Sequence, residues 1–276
     1  MADISAAAVK ALRDETGLPM MDCKRALQEA GGDKGAAIDL LRKAGQKVMQ
    51  KRAGRETAFG RIAVCADLPG GVGAMAELQC ESAPVAANEE FVQLADDLAR
   101  QLATGPGAAT TEELLAQPSP SKAPTTLQEQ LDELTNRIRE VFKLARILRI
   151  DGPCGGYTHH TGSPGVLLEV EGGNAELAKD ICMHIAAMRP PVVSIEDLDP
   201  ADVEKEKEIL SEAARQEGKP ENIIEKMVQG RLRNFYAEKC LLEQPFVKDE
   251  KQKVGKVAKA GGMKVLLFVR WEICRE

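Results

Sequence analysis

Aromatic residues are scarce in this chain of 276 residues: they make up 3%, with a single tryptophan. Its core must therefore rest on Ala, Leu, Val and Ile, and the Ala-rich periodic segments point to a helix-heavy protein. The length suffices for one large domain or two to three small ones. Cysteine is also little used. The seven cysteines, Cys23, Cys65, Cys80, Cys154, Cys182, Cys240 and Cys274, are an odd number without a C-x-x-C pair. That excludes a zinc pattern and a disulfide framework and points to a reducing compartment. No apolar run reaches about 18 residues, and MADISAAAVK lacks a basic region followed by an apolar one. The expectation is a cytoplasmic protein with no membrane span.

Chemistry-bearing patterns are missing as well. Of the three histidines, adjacent His159 and His160 would point to opposite sides of a strand and have no Cys or Asp at ligand spacing. His184 lies in an Ala/Ile/Met helix, where a packing role is expected. There is no G-x-x-x-x-G-K-[ST] signature. The run PGGVG at 69–73 reads as a hairpin turn, because a phosphate cradle would need a helix directly after it. No Ser/His/Asp order, nucleophile elbow or carboxylate pair stands out, so neither catalysis, a cofactor nor a metal is expected. The net charge of −6 argues against general nucleic-acid binding. One local exception is the basic segment Arg42, Lys43, Lys47, Lys51, Arg52, Arg55 and Arg61, opposed by Glu56 alone. It reads as a solvated linker, or as a surface for an acidic protein or RNA.

What the chain does contain is organisation. Residues 1–45 read as a module of three short helices. Ser5 caps the first, which carries Val9 and Leu12 and ends at Thr16-Gly17. The second holds Met20, Met21, Ala26 and Leu27 and stops at Gly31-Gly32; Asp33 opens the third. Met20-Met21 either fill the core or offer adaptable side chains to a partner. A basic linker follows at 46–60. The pattern strand, Gly-rich turn, strand, helix then occurs twice, at 61–103 and 155–188, which suggests a duplicated α+β unit with parts at 61–150 and 151–198. Between the copies, 104–126 reads as a Pro/Ser/Thr-rich surface excursion, followed by a long amphipathic helix from Leu127 to about Leu148. Residues 199–243 read as two helices around a break at Gly218, an antiparallel hairpin entered through Asp199-Pro200. Segment 244–276 closes with 264-KVLLFVRWEI-273, whose near-continuous apolar character predicts a strand buried in a sheet.

The stretch 80-CESAPVAANEEF-91 joins the first strand pair to its helix. Its residues offer little chemistry. Asn88 before Glu89 and Glu90 reads as a helix cap with acids in the first turn. Pro84 is expected to fix its own φ and push Ala83 toward extended geometry, stiffening the loop.

The segments 16-TGLPMMDCKRAL-27, 181-ICMHIAA-187, 218-GKPENIIEKMVQGRL-232 and 240-CLLEQPFVKD-249 closely resemble bacterial elongation factor Ts, in the same order over nearly the whole chain. The resemblance implies an α+β fold. It would comprise an N-terminal ubiquitin-associated-like helical domain, a duplicated α/β core and a coiled-coil hairpin inserted before the last core strand. It also implies a guanine-nucleotide exchange factor for the GTPase elongation factor Tu, with a homodimer through the hairpin as a further possibility. Met20, Met21 and His159 resemble partner-contact positions. Loop 82–88 falls where the family places its exchange motif, T-D-F-V-A-[KR]-N. Here Val85, Ala86 and Asn88 match and Ser82 keeps the hydroxyl. Ala83 replaces the acid and Pro84 the aromatic that wedges beside the Mg²⁺ site. Rival readings are an adaptor for ubiquitin-like domains and an RNA-associated protein using the basic segment.

Overall fold

The computed structural model describes residues 4–52, 54–217 and 220–273, and the fold is α+β. The chain opens with α1 (Ala6–Thr16), α2 (Met20–Glu29) and α3 (Lys34–Arg52). The Ser5 hydroxyl accepts the Ala8 N–H, Gly17 closes α1 at φ 65°, and Asp33 accepts the Ala36 N–H at 2.7 Å. These are the expected caps. Val9, Leu12, Cys23, Ala26, Leu27, Ala37 and Leu41 form the small core. Helix α3 runs past residue 45, so the basic segment is helical as far as Arg52. Lys, Gln, Met and Arg there are good helix formers, and Gly45 alone does not end the helix.

The first core unit is the antiparallel pair β1 (Phe59–Asp67) and β2 (Val72–Cys80), then the short α4 (Ala83–Ala86) and α5 (Glu89–Thr104). Helix α5 lays Phe91, Leu94, Ala95, Leu98 and Leu102 on the sheet, a stripe at helical period with every member buried. Next come α6 (Thr111–Leu115), α7 (Leu127–Ile138) and β3 (Lys143–Ile150), which pairs with β2 to complete the order β1-β2-β3. Two expectations fail here. The amphipathic helix does not continue to Leu148, because Arg139 adopts φ 64° and caps α7 through its N–H to Thr135. Residues 141–150 also fit a period of two, and the open edge of β2 supplies the backbone partners that select the strand. Nor is 104–126 only a surface excursion. Leu114 and Ser119 are buried, and the segment folds over the buried Asp97. That carboxylate accepts hydrogen bonds from Ser121, from Gln93 at 3.0 Å and from Gln130 at 3.0 Å.

The second unit repeats the first: β4 (Cys154–Thr158), β5 (Gly165–Gly172) and α8 (Ala175–Met188). Helices α9 (Pro200–Gln216) and α10 (Glu221–Lys239) pack on each other through Ala214, Ile224, Val228 and Leu232. Asp199 caps α9 as expected, and the break at Gly218 lies outside the described residues. The chain ends through β6 (Pro245–Phe246), β7 (Asp249–Lys253), α11 (Val254–Ala260) and β8 (Met263–Trp271). Strand β8 joins β5 in the order β4-β5-β8. It is an edge strand rather than a buried one, with a register shift against β5 and Leu266 and Leu267 exposed.

Strand β5 is buried on both faces. Val166, Leu168 and Val170 meet α8, while Leu167 meets Ile62, Met75 and Cys154 where the two sheets pack. That contact depends on missing side chains. A Cβ on Gly165 would stand 2.4 Å from Ile62, and one on Gly73 would stand 2.6 Å from Cys154.

Candidate functional site

The stretch between β2 and α5 is a built element. Ser82 is extended (φ −137°, ψ 150°), and Ala83–Ala86 then form one helical turn with Pro84 in its first positions. Proline is favoured there, since the first N–H groups of a helix have no intrahelical partner and its φ is already helical. The expected extended geometry at Ala83 is therefore overturned. Val85 and Ala86 turn inward onto the core, leaving Ala83 and Pro84 exposed. The exit is as predicted: Asn88 Oδ1 accepts the N–H groups of Glu90 at 3.0 Å and Phe91 at 3.3 Å.

The entrance depends on residues that no sequence motif marked. The Ser82 hydroxyl donates to Glu140 Oε1 at 2.6 Å and the Ser82 N–H to Oε2 at 3.1 Å. In return the Val141 N–H donates to Glu81 Oε1 at 2.7 Å, and Arg55 donates to Oε2 at 2.9 Å. Burial alone would raise the Glu81 carboxyl. The Val141 and Arg55 hydrogen bonds outweigh it and hold the group below the usual carboxylate range. Glu81-Ser82 and Glu140-Val141 thus clasp each other reciprocally. The turn after α7 is the anchor for the loop, and reading 127–148 as one helix concealed it. The only sequence signal was the second, two-residue period after residue 140.

The same turn reaches the N-terminal helices. Arg139 pairs with Asp22 of α2, next in sequence to Met21. Met20 is 49% exposed and Met21 68%, so these two side chains lie outside the core rather than filling it. Residues 139 and 140 therefore connect the Met pair to the loop through two ion-containing contacts.

His159 follows the end of β4, in a turn rather than on a strand, which is why its ring and that of His160 meet at 4.1 Å instead of diverging. Tyr157 presents an edge to His159 at 6.5 Å. The turn is tied to β1: the Ile62 N–H donates to Gly162 O at 2.8 Å and the Thr158 hydroxyl to Ile62 O at 3.1 Å. Phe59, opposite Cys80 at the entrance to the loop, lies three residues before Ile62. Along an extended strand that is roughly 10 Å. Loop and histidine turn thus border the same stretch of β1.

The other histidine is structural. His184 is fully buried, its Nε2 stands 2.9 Å from Gln244 Oε1, and its Nδ1 accepts the Val247 N–H at 3.3 Å. Burial pulls its pKa down, partly offset by the Gln244 bond. Burial also pushes the Cys154 thiol up to about 12, leaving it a poor nucleophile. Among the described residues no cluster of three or more His, Cys, Asp or Glu is placed to hold a metal ion, and no helix is long and apolar enough to cross a membrane.

The arrangement brings forward three surface features: an exposed Ala-Pro turn, an exposed Met pair and an imidazole held in a turn. The family model for elongation factor Ts matches residues 84–275. The chain is 44% identical over 273 residues to elongation factor Ts of Methylococcus capsulatus, covering 98% of this chain and 92% of that protein. It is 42% identical over 282 residues to the same factor of Aquifex aeolicus, covering 96% of each. For that of Kineococcus radiotolerans the identity is 40% over 277 residues, covering 98% of each. The chain belongs to the elongation factor Ts family.

Proposed function

We propose that the chain is a guanine-nucleotide exchange factor that binds elongation factor Tu·GDP and promotes GDP release by disturbing the Mg²⁺/phosphate site of that GTPase. The observation that carries this reading is the clasped loop. A short exposed turn, fixed at both ends by Glu140 and Asn88, occurs where the family resemblance assigns the exchange motif. Such a factor needs no catalytic side chain. It binds the nucleotide-free partner better than the nucleotide-bound one, and linkage then weakens the nucleotide equally.

Each tenfold loosening needs about 1.4 kcal/mol of differential contact, so several decades of acceleration ask for roughly 4–7 kcal/mol. A single allosteric coupling of about 1–3 kcal/mol falls short. Several patches must act together: the turn 83–86, Met20 and Met21, and His159. With Ala83 and Pro84 at its tip the turn inserts no ring or charge. It acts as a rigid helical wedge whose backbone displaces the partner's switch segment, and loss of the metal then removes its compensation of the phosphate charge.

In this reading residues 1–45 form the ubiquitin-associated-like domain, 61–150 and 151–198 the two core parts, and 199–243 the coiled-coil hairpin, a candidate homodimer contact. In this reading the protein acts in the cytoplasm, where its partner GTPase would be. The test is release of a fluorescent GDP analogue from elongation factor Tu, with and without the chain and with residues 82–85 replaced by Gly-Ser. Acceleration that is abolished by the replacement supports the reading. An unchanged rate with the replaced loop removes any role for it.

A further inference from the structure

The turn after β4 orders one side chain more closely than a surface contact requires. Its backbone is held without Thr161: the His159 N–H donates to Pro164 O at 2.9 Å, the Gly162 N–H to His159 O at 2.8 Å, and the Ile62 N–H to Gly162 O at 2.8 Å. On its far side the Ile273 N–H donates to the Ser163 hydroxyl at 3.0 Å, tying the turn to the segment after β8.

Within this frame the Thr161 hydroxyl stands 2.8 Å from His159 Nδ1 and 2.8 Å from Ser163 O. A hydroxyl has one proton to give. The carbonyl oxygen of Ser163 can only accept, so the Thr161 proton goes there, and the contact to the ring is satisfied only by an N–H on Nδ1. The Thr161 N–H donates to Nδ1 only at 3.5 Å, the limit of a hydrogen bond; that contact favours the other tautomer, and the shorter hydroxyl contact outweighs it. In the neutral ring the proton is thereby placed on Nδ1, and Nε2 keeps its lone pair. Among the described residues Nε2 has no partner. The rings of Tyr157 and His160 stand 6.5 Å and 4.1 Å from that of His159, centroid to centroid.

We propose that Thr161 is a positioning residue for His159. It holds the imidazole as the Nδ1–H tautomer so that Nε2 accepts a hydrogen bond from an N–H or O–H donor on the GTPase. The proposal rests on the exchange-factor reading and adds the chemistry of one contact to it. An acceptor at Nε2 selects a donor on the partner surface and rejects a carboxylate or carbonyl there, since two acceptors facing each other lose their hydration without a bond.

The test combines ¹⁵N NMR of the imidazole in the full chain with nucleotide release from elongation factor Tu. Wild type is expected to show a pyrrole-like Nδ1 and a pyridine-like Nε2 at a pH where the ring is neutral. In Thr161→Val the tautomer averages, and stimulated release falls roughly five-fold, the worth of one ordinary hydrogen bond, with the unfolding midpoint unchanged. Thr161→Ser restores both the spectrum and the rate. An unshifted His159 spectrum in Thr161→Val overturns the proposal, and so does a shifted spectrum with an unchanged release rate. A wild-type chain that leaves GDP release unaltered removes the exchange-factor reading itself, and the partner contact with it, whatever the spectrum shows about the tautomer.

Discussion

Replacing Glu140 by Ala tests whether the loop is held from outside its own sequence. The carboxylate accepts two hydrogen bonds from Ser82, at 2.6 Å from the hydroxyl and 3.1 Å from the N–H. Hydrogen bonds to charged groups contribute about 1.5–3 kcal/mol each in favourable settings. Glu140 is only half-buried, so solvent screening reduces this, and the pair together is expected to contribute about 1–2 kcal/mol. Ser82→Ala removes the hydroxyl bond but leaves the N–H bond, so it should cost about half as much. Because the two residues act on each other, the double variant should fall short of the summed effects by roughly 0.5–1 kcal/mol. Urea unfolding measures these differences globally. Amide hydrogen exchange reads the site itself: the Ser82 N–H loses its acceptor in Glu140→Ala, and easing its local opening by about 1.4 kcal/mol speeds exchange roughly ten-fold. Exchange at Ser82 that is unaltered in Glu140→Ala, together with strict additivity in the double variant, would refute the clasp. The loop would then be held by its own helical turn and by Val85 and Ala86 on the core.

Asn88→Ala removes the acceptor for the Glu90 and Phe91 N–H groups and should destabilise the chain by about 1 kcal/mol in urea unfolding, while Asn88→Asp should be neutral. His184 gives a pH signature. Its folded pKa lies below the unfolded value of about 6.5, so the unfolded chain binds the proton more readily and the contribution to stability is complete above that value. It is lost as pH falls from about 6.5 toward the depressed folded value. Urea midpoints for wild type should therefore drop between pH 7.5 and 5.5, and the drop should be smaller in His184→Gln.

Much of the local structure was legible because local signals and tertiary packing agree. Ser5, Gly17, Asp33, Asn88 and Asp199 cap helices as their residue types predict, and the hairpin turn expected at 69–73 lies at 68–71, between β1 and β2. The repeated strand-turn-strand-helix pattern is present in both copies. The misreadings share one cause. Residues 141–150 fit either period, and an unpaired β2 edge decided for the strand. Segment 104–126 has the composition of an excursion, yet the buried Asp97 draws Ser121 and the buried Gln130 onto one carboxylate. KVLLFVRWEI reads as a central strand, and its place at the sheet edge follows from which strand arrives beside it last in the order β4-β5-β8.

For the candidate site the division is sharper. By itself the chain's sequence determined where the loop begins and ends, how α5 is capped and, through its matching segments, which family is resembled. Those are properties of neighbouring residues, and short-range sterics and hydrogen bonding settle them. Only the tertiary structure decided that Pro84 starts a helical turn, that Glu140 grips Ser82 across 58 positions of chain, and that Arg139 ties Asp22 into the same turn. Such contacts depend on which backbone groups remain unpaired once the sheet has closed, and no local pattern of residues carries that information.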